Sequence, residues 1–113
     1  MNGYIRAAMR GLLFAGALGF FLNCTTRADD SADVYKAKCA VCHASDGSGN
    51  SVMGKKLGAK DLRSDQVQNK SDVELNDLIT NGFGKTMPAY KDKLTADQIK
   101  GLVAFIRELV KKK

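Results

Sequence analysis

Cys39-Ala40-Val41-Cys42-His43 is the stretch from which the rest of the chain is read. Cys-x-x-Cys-His is the pattern of covalent c-type haem attachment. Two thiols add across the haem vinyl groups, and the histidine that follows ligates the iron. On a helical turn Cys39 and Cys42 are i,i+3 neighbours, and Cys39 and His43 are i,i+4 neighbours. All three then share one face, where a flat macrocycle can lie. The motif takes up the only histidine and two of the three cysteines. One haem c per chain, attached through Cys39 and Cys42 and ligated by His43, is the expectation. The competing readings are weaker. A structural zinc site needs four ligands, and beyond the motif only Cys24 is left to supply one. A thioredoxin-like site needs a βαβ setting, and no strand pattern surrounds these cysteines. A disulfide gives no reason for His43 to follow.

The N-terminus reads as an export signal. Arg6 and Arg10 form a basic start, and Gly11–Leu22 is an apolar run of signal-peptide length, short for a membrane span. Thr26-Arg27-Ala28 sets small residues where a leader peptidase reads, so residues 1–28 are expected to be removed and 29–113 to form the single domain. Lipid attachment at Cys24 is the alternative, against which Leu22-Asn23 makes a poor recognition sequence. A periplasmic location follows, since bacterial c-type haem is attached outside the cytoplasmic membrane.

The formal charge of +6 belongs to the whole chain; removing Arg6, Arg10 and Arg27, with no acid among residues 1–28, leaves +3. Two ionised haem propionates would bring this to about +1. Nucleic-acid binding, which wants a strong basic stripe, is not expected. Lys55, Lys56 and Lys60 cluster after the haem motif, and Lys85, Lys91 and Lys93 surround Met87. They read either as a rim steering an acidic partner or as ordinary solvated surface. A domain this small is marginal without a staple, so the cofactor is expected to supply much of the core.

Helices joined by glycine-rich loops are expected throughout. The first runs from about Ser31 into the motif, with Asp29 and Asp30 at its positive end. Residues 44–60 hold several glycines and read as irregular chain, with a short helix starting near Ala59. Ser71-Asp72-Val73-Glu74 is a capping box opening a helix with Leu75, Leu78 and Ile79 on one face, ended by Asn81-Gly82. Thr95-Ala96-Asp97-Gln98 is a second box. It opens a helix with Ile99, Leu102, Val103, Ile106, Leu109 and Val110 on one stripe. No segment alternates long enough to argue for a sheet, and there is no internal repeat.

Met87 is the candidate for the second axial position. It sits in a loop between two expected helices, rich in glycine at its start and stiffened by Pro88, the only proline. Such a loop can present a thioether opposite His43. The bland reading of a methionine is a flexible core filler. Met53, ten residues past His43, is the competitor and is expected to pack near the haem edge. Met1 and Met9 belong to the leader, and bis-histidine ligation is excluded.

In these pieces and their order the chain resembles the class I c-type cytochromes of the small bacterial kind, similar to cytochromes c5, c6 and c-553. The resemblance rests on Val34-Tyr35-x3-Cys39-x2-Cys42-His43, Thr80-Asn81-Gly82, Met87-Pro88-Ala89-Tyr90, Leu94-Thr95 and Val103-Ala104-Phe105-Ile106. It implies an all-α cytochrome c fold, three to five helices around one haem, with the first and last crossing near Tyr35 and Phe105. It also implies His43/Met87 ligation, single-electron transfer, and a pocket that includes Leu57, Leu62, Leu75, Ile79 and Tyr90. The chain departs from the pattern in three places. No proline follows the motif to supply a carbonyl for His43. No tryptophan is present to meet a haem propionate, a role left to Arg63 or Lys60. Ser31 or Ala32 stands where a glycine often eases the helix crossing.

A Met/His pair raises the potential relative to bis-histidine or thiolate ligation, and six ligands leave no site for a substrate. The expected role is a monomeric periplasmic electron shuttle and not an enzyme. Its donor would be a quinol-oxidising complex, and its acceptor a terminal oxidase or reductase. The alternative is a gas sensor or weak peroxidase with Met87 off the iron, against which stands the lack of a distal acid–base residue.

Overall fold

The computed structural model describes residues 27–112, together with Gly16 and Gly19. The expected leader up to residue 26, including Cys24, otherwise lies outside the described residues. Among the described residues there are six helices: α1 (Arg27–Lys38), α2 (Ala40–His43), α3 (Val52–Leu57), α4 (Asp65–Gln68), α5 (Asp72–Asn81) and α6 (Ala96–Leu109). A 3₁₀ turn, Val110–Lys112, follows α6. Among the described residues there are no strands, only one isolated antiparallel bridge between Phe83 and Met87. The all-α class holds, with one helix more than the three to five expected.

The extra helix lies where irregular chain was expected. α3 is short, but both of its ends are satisfied. Ser51 Oγ accepts from the Gly54 N–H at 2.8 Å, and Gly58 closes the helix in the left-handed region at φ 70°. The short helix expected near Ala59 is absent; residues 58–64 turn, and the next helix begins at Asp65. α1 begins at Arg27, earlier than Ser31, so Asp29 and Asp30 fall in its first turn.

Both capping boxes form. The Ser71 N–H donates to Glu74 Oε2 at 2.7 Å while the Glu74 N–H donates to Ser71 Oγ at 3.1 Å. Thr95 and Gln98 repeat this at 2.9 and 3.1 Å. The Ser71 backbone N–H and hydroxyl hold the Glu74 carboxyl below its ordinary pKa. The box on α5 is therefore complete at neutral pH and is lost as pH falls through that lowered value.

α1 crosses α6 with the Tyr35 and Phe105 ring centroids 4.8 Å apart, as the resemblance implied. The close approach is made by Gly101 on α6, where a Cβ would collide with Ser31 Oγ. Ser31 is buried there. The stripe of α6 buries Ile99, Leu102, Val103, Ile106 and Leu109. Val110 does not join them: the chain tightens into the 3₁₀ turn after Leu109, and Val110 is 37% exposed.

Arg107 ties α6 to the α4–α5 connection. Its guanidinium donates to the carbonyls of Gln68 (2.9 Å) and Lys70 (2.6 Å) and to Asp72 Oδ1 (2.9 Å). Gln68 in turn donates from Nε2 to the carbonyls of Leu62 and Ile106. Charge-assisted bonds of this kind contribute more than neutral ones. Arg107→Ala is expected to lower stability by about 2 kcal/mol, on the order of 10 °C in Tm for a domain of this size. Arg107→Lys should recover little, because an ammonium lacks the planar fork. Thermal unfolding of the three proteins checks this.

Candidate haem site

α1 and α2 are nearly continuous, and the break between them falls at Cys39. Its N–H donates to the Tyr35 carbonyl at 2.8 Å, and its own carbonyl accepts from the His43 N–H at 2.9 Å. The helical turn anticipated for the motif is thus formed. No disulfide joins Cys39 and Cys42. Burial, with Cys42 nearby adding to it, pushes the Cys39 thiol up to about 11. A redox-active dithiol needs a low-pKa thiolate, so this setting does not suit thiol–disulfide exchange.

His43 is fixed at its ring and its backbone. Nδ1 lies 3.0 Å from the Lys60 carbonyl oxygen. A carbonyl only accepts, so Nδ1 carries the hydrogen and Nε2 is left with its lone pair free for a metal. This is the acceptor that the sequence, lacking a proline after the motif, did not reveal. On the backbone side, the Gly49 N–H donates to the His43 carbonyl at 2.7 Å. The next residue, Ala44, has φ 63° without being glycine. The Tyr35 hydroxyl donates to its carbonyl at 2.7 Å and holds it there. Burial raises the pKa of that hydroxyl, so it stays protonated as a donor.

Met87 is delivered by a loop built on the end of α5. The Phe83 N–H donates to the Met87 carbonyl at 3.0 Å, and the Met87 N–H donates back at 3.2 Å. The Tyr90 N–H donates to the Ile79 carbonyl at 3.0 Å and the Lys91 N–H to that of Thr80 at 3.1 Å. Gly82 makes this fold-back possible. Its φ is 77°, and a Cβ there would stand 2.6 Å from the Met87 carbonyl oxygen and 2.8 Å from the Ala89 nitrogen. The Tyr90 hydroxyl donates to the Lys38 carbonyl at 3.1 Å, joining the loop to the end of α1.

These parts converge on one slot. Its inner cavity, about 240 Å³, is lined by Cys39, His43 and Met87 against core residues including Leu62, Leu75, Ile79 and Ile106. The outer cavity, about 410 Å³, shares Cys39, His43 and Met87 and adds Cys42, Val41 and Leu57. Apolar walls with a few convergent polar groups are what a cofactor pocket requires. Two free thiols, an imidazole nitrogen and a thioether on one apolar slot fit a haem. Leu62, Leu75, Ile79 and Tyr90 line the inner cavity as expected, while Leu57 lines only the outer one. Met53 lines neither cavity and is 42% exposed, because α3 turns it away. Arg63 also lies outside the slot, held by Asp61 at 3.0 Å and Asp46 at 3.8 Å. Lys60 lines both cavities, and Gln66 and Lys70, which the sequence did not single out, line the inner one.

The fold and the slot together define a small class I c-type cytochrome, and the comparisons agree. Residues 26–106 match the family described as cytochrome c oxidase, cbb3-type, subunit III, and the chain belongs to this cytochrome c family. Its members are electron carriers with covalently bound haem c. The chain is 37% identical over 82 residues to cytochrome c6 of Leptolyngbya boryana, covering 70% of this chain and 88% of that protein. It is 33% identical over 86 residues to the cbb3-type cytochrome c oxidase subunit FixP of Azorhizobium caulinodans, covering 75% of this chain. That match spans only 28% of FixP. Among solved structures, the KustC0563 c-type cytochrome superposes with a TM-score of 0.63 at 31% identity, covering 70% of this chain and 95% of that one.

Proposed function

We propose that the chain is a periplasmic one-electron carrier whose haem is bound through Cys39 and Cys42 and ligated by His43 and Met87. The observation that carries this reading is the convergence of those four side chains on one apolar slot. Bound haem iron supplies a one-electron couple. The chain's own residues do the rest. His43 is held as an Nε2 donor by the Lys60 carbonyl. The loop from Gly82 to Tyr90 holds the Met87 thioether. Leu75, Ile79 and Ile106 give the inner slot an apolar wall. A thioether ligand and an apolar setting both favour the ferrous state. Rigid ligands keep the reorganisation on electron transfer small. Export with removal of residues 1–28 fits the haem chemistry and is part of the same proposal. Intact mass under denaturing conditions tests the attachment. One haem mass should be retained and neither Cys39 nor Cys42 should be alkylated; two free thiols would overturn it.

The partners we propose are redox proteins, a quinol-oxidising complex as donor and a terminal oxidase or reductase as acceptor. The mouth of the slot supports docking of an acidic surface. Val41 and Phe83 are exposed there at 62% and 60%. Lys38 and Lys60 line the same cavity, and exposed Lys55 and Lys56 precede Leu57 at its edge. An apolar centre with a basic rim steers an acidic partner and sets its on-rate. Lys55→Glu with Lys56→Glu is expected to slow electron transfer to an acidic acceptor about tenfold at low salt, the difference shrinking as salt screens the charges. Lys111→Glu, on the terminal turn, should change the rate little. Stopped-flow absorbance at several ionic strengths reads both.

A further inference from the structure

We propose that Gly49 is a positioning residue for His43, and that its missing side chain helps set the reduction potential. This rests on the reading of His43 as the axial ligand. His43 is held at two ends, and both lead to Gly49. The Gly49 N–H donates to the His43 carbonyl at 2.7 Å. The ring Nδ1–H donates to the Lys60 carbonyl at 3.0 Å, and the Ala59–Lys60 peptide just before that carbonyl lies where a Gly49 side chain would stand. Gly49 has φ 74°, and a Cβ built on it would stand 2.6 Å from the Ala59 carbonyl oxygen and 3.3 Å from that of Lys60. Both are backbone atoms, so no change of rotamer relieves the contact. The 59–60 segment must retreat, yet it is anchored just beyond by the Leu62 N–H donating to the Gly47 carbonyl at 2.7 Å.

No proline ring fixes the backbone at Lys60. Its carbonyl is placed by the course of the segment, which the Ala59 N–H pins to the Gly54 carbonyl at 2.9 Å on the near side, and the missing side chain of Gly49 leaves room for that course. Donation from Nδ1–H to a carbonyl makes Nε2 more basic, and a more basic ligand favours the ferric state. A hydrogen bond already at 3.0 Å weakens quickly when the acceptor withdraws by a few tenths of an ångström. A side chain at position 49 should therefore raise the potential. Gly58 provides the matched control. It has φ 70°, so alanine there meets the same left-handed strain, but its Cβ would find no protein atom within 4 Å; since Gly58 lines the outer cavity, the control is read on the His43 ring N–H and not on the potential.

The test compares holoprotein of the wild type, Gly49→Ala and Gly58→Ala in redox titrations and by NMR of the reduced protein. Gly49→Ala should shift the equilibrium toward the reduced form about tenfold, equivalent to about 59 mV for one electron. Its His43 ring N–H should exchange faster with solvent. Gly58→Ala should lose stability without faster exchange of the His43 ring N–H. If Gly49→Ala does not fold, Gly49→Asn places the same Cβ with a residue that tolerates left-handed backbone better, and the same shifts are expected. Unchanged potential and exchange in a folded position-49 variant, or equally faster ring N–H exchange in Gly58→Ala, would overturn the role of Gly49 alone. Wild-type His43 ring protons lacking the large upfield displacement of a ligand over the haem plane would overturn the ligation, and this inference with it.

Discussion

Replacing both Cys39 and Cys42 with serine, and isolating the protein without haem, is expected to abolish cooperative thermal unfolding. The reason lies in what lines the slot. Leu62, Val67, Leu75, Ile79, Leu102 and Ile106 belong to the buried core and also form the wall of the inner cavity. Without haem these side chains would face an unfilled space of about 240 Å³. At about 24 cal/mol per Å³, an enclosed cavity of that size would cost roughly 6 kcal/mol, an upper bound for a slot that opens to solvent. Small domains have on the order of 5–15 kcal/mol in total, and one this short sits at the lower end. The helices whose ends are well capped, α5 and α6, should retain part of their far-ultraviolet signal, so the expected product is partly helical and loosely packed. Circular dichroism during heating checks this. A sharp transition in the haem-free variant would show that the polypeptide alone builds the core.

Met87→Ala is expected to lower the reduction potential and to let the ferrous protein bind carbon monoxide, which the wild type should exclude. Axial ligand identity moves haem potentials over roughly 0.8 V, and loss of the thioether removes a ligand that favours ferrous iron. A fall on the order of a tenth of a volt or more is expected. The fold should survive, because backbone bonds from Phe83, Tyr90 and Lys91 hold the loop, although Met87 also packs against the core. Gas titration followed by absorbance, with a potentiometric titration beside it, measures both effects. Equal carbon monoxide binding by wild type and variant would mean that Met87 is not the sixth ligand. The same outcome would favour a sensor-like role.

Side-chain chemistry with a fixed spacing was legible in the sequence. The two capping boxes, the apolar stripe of α6 and the haem motif each depend on particular residue types at particular intervals, and each stands where expected. Interactions made by backbone atoms were not legible. The Lys60 carbonyl that holds His43 is a group every residue possesses, and only the course of the chain brings it to the ring. The roles of Gly49 and Gly101 have the same origin: each permits an approach by a segment farther along the chain, as Gly82 permits the fold-back of its own loop. α3 was missed because a helix of six residues is too short to show a period; its cap, Ser51, and its terminator, Gly58, were the available signs. Of the two residues left for a propionate, Lys60 lines the slot, while the Arg63 guanidinium is engaged by Asp61, two residues before it.

The optical spectrum of the purified protein tests the central claim most directly. The ferric form should show the weak red-end band of methionine sulfur bound to iron in a low-spin spectrum, and Met87→Ala should lose it. A high-spin ferric spectrum without that band in the wild type would contradict His43/Met87 ligation and the closed electron-carrier site built on it.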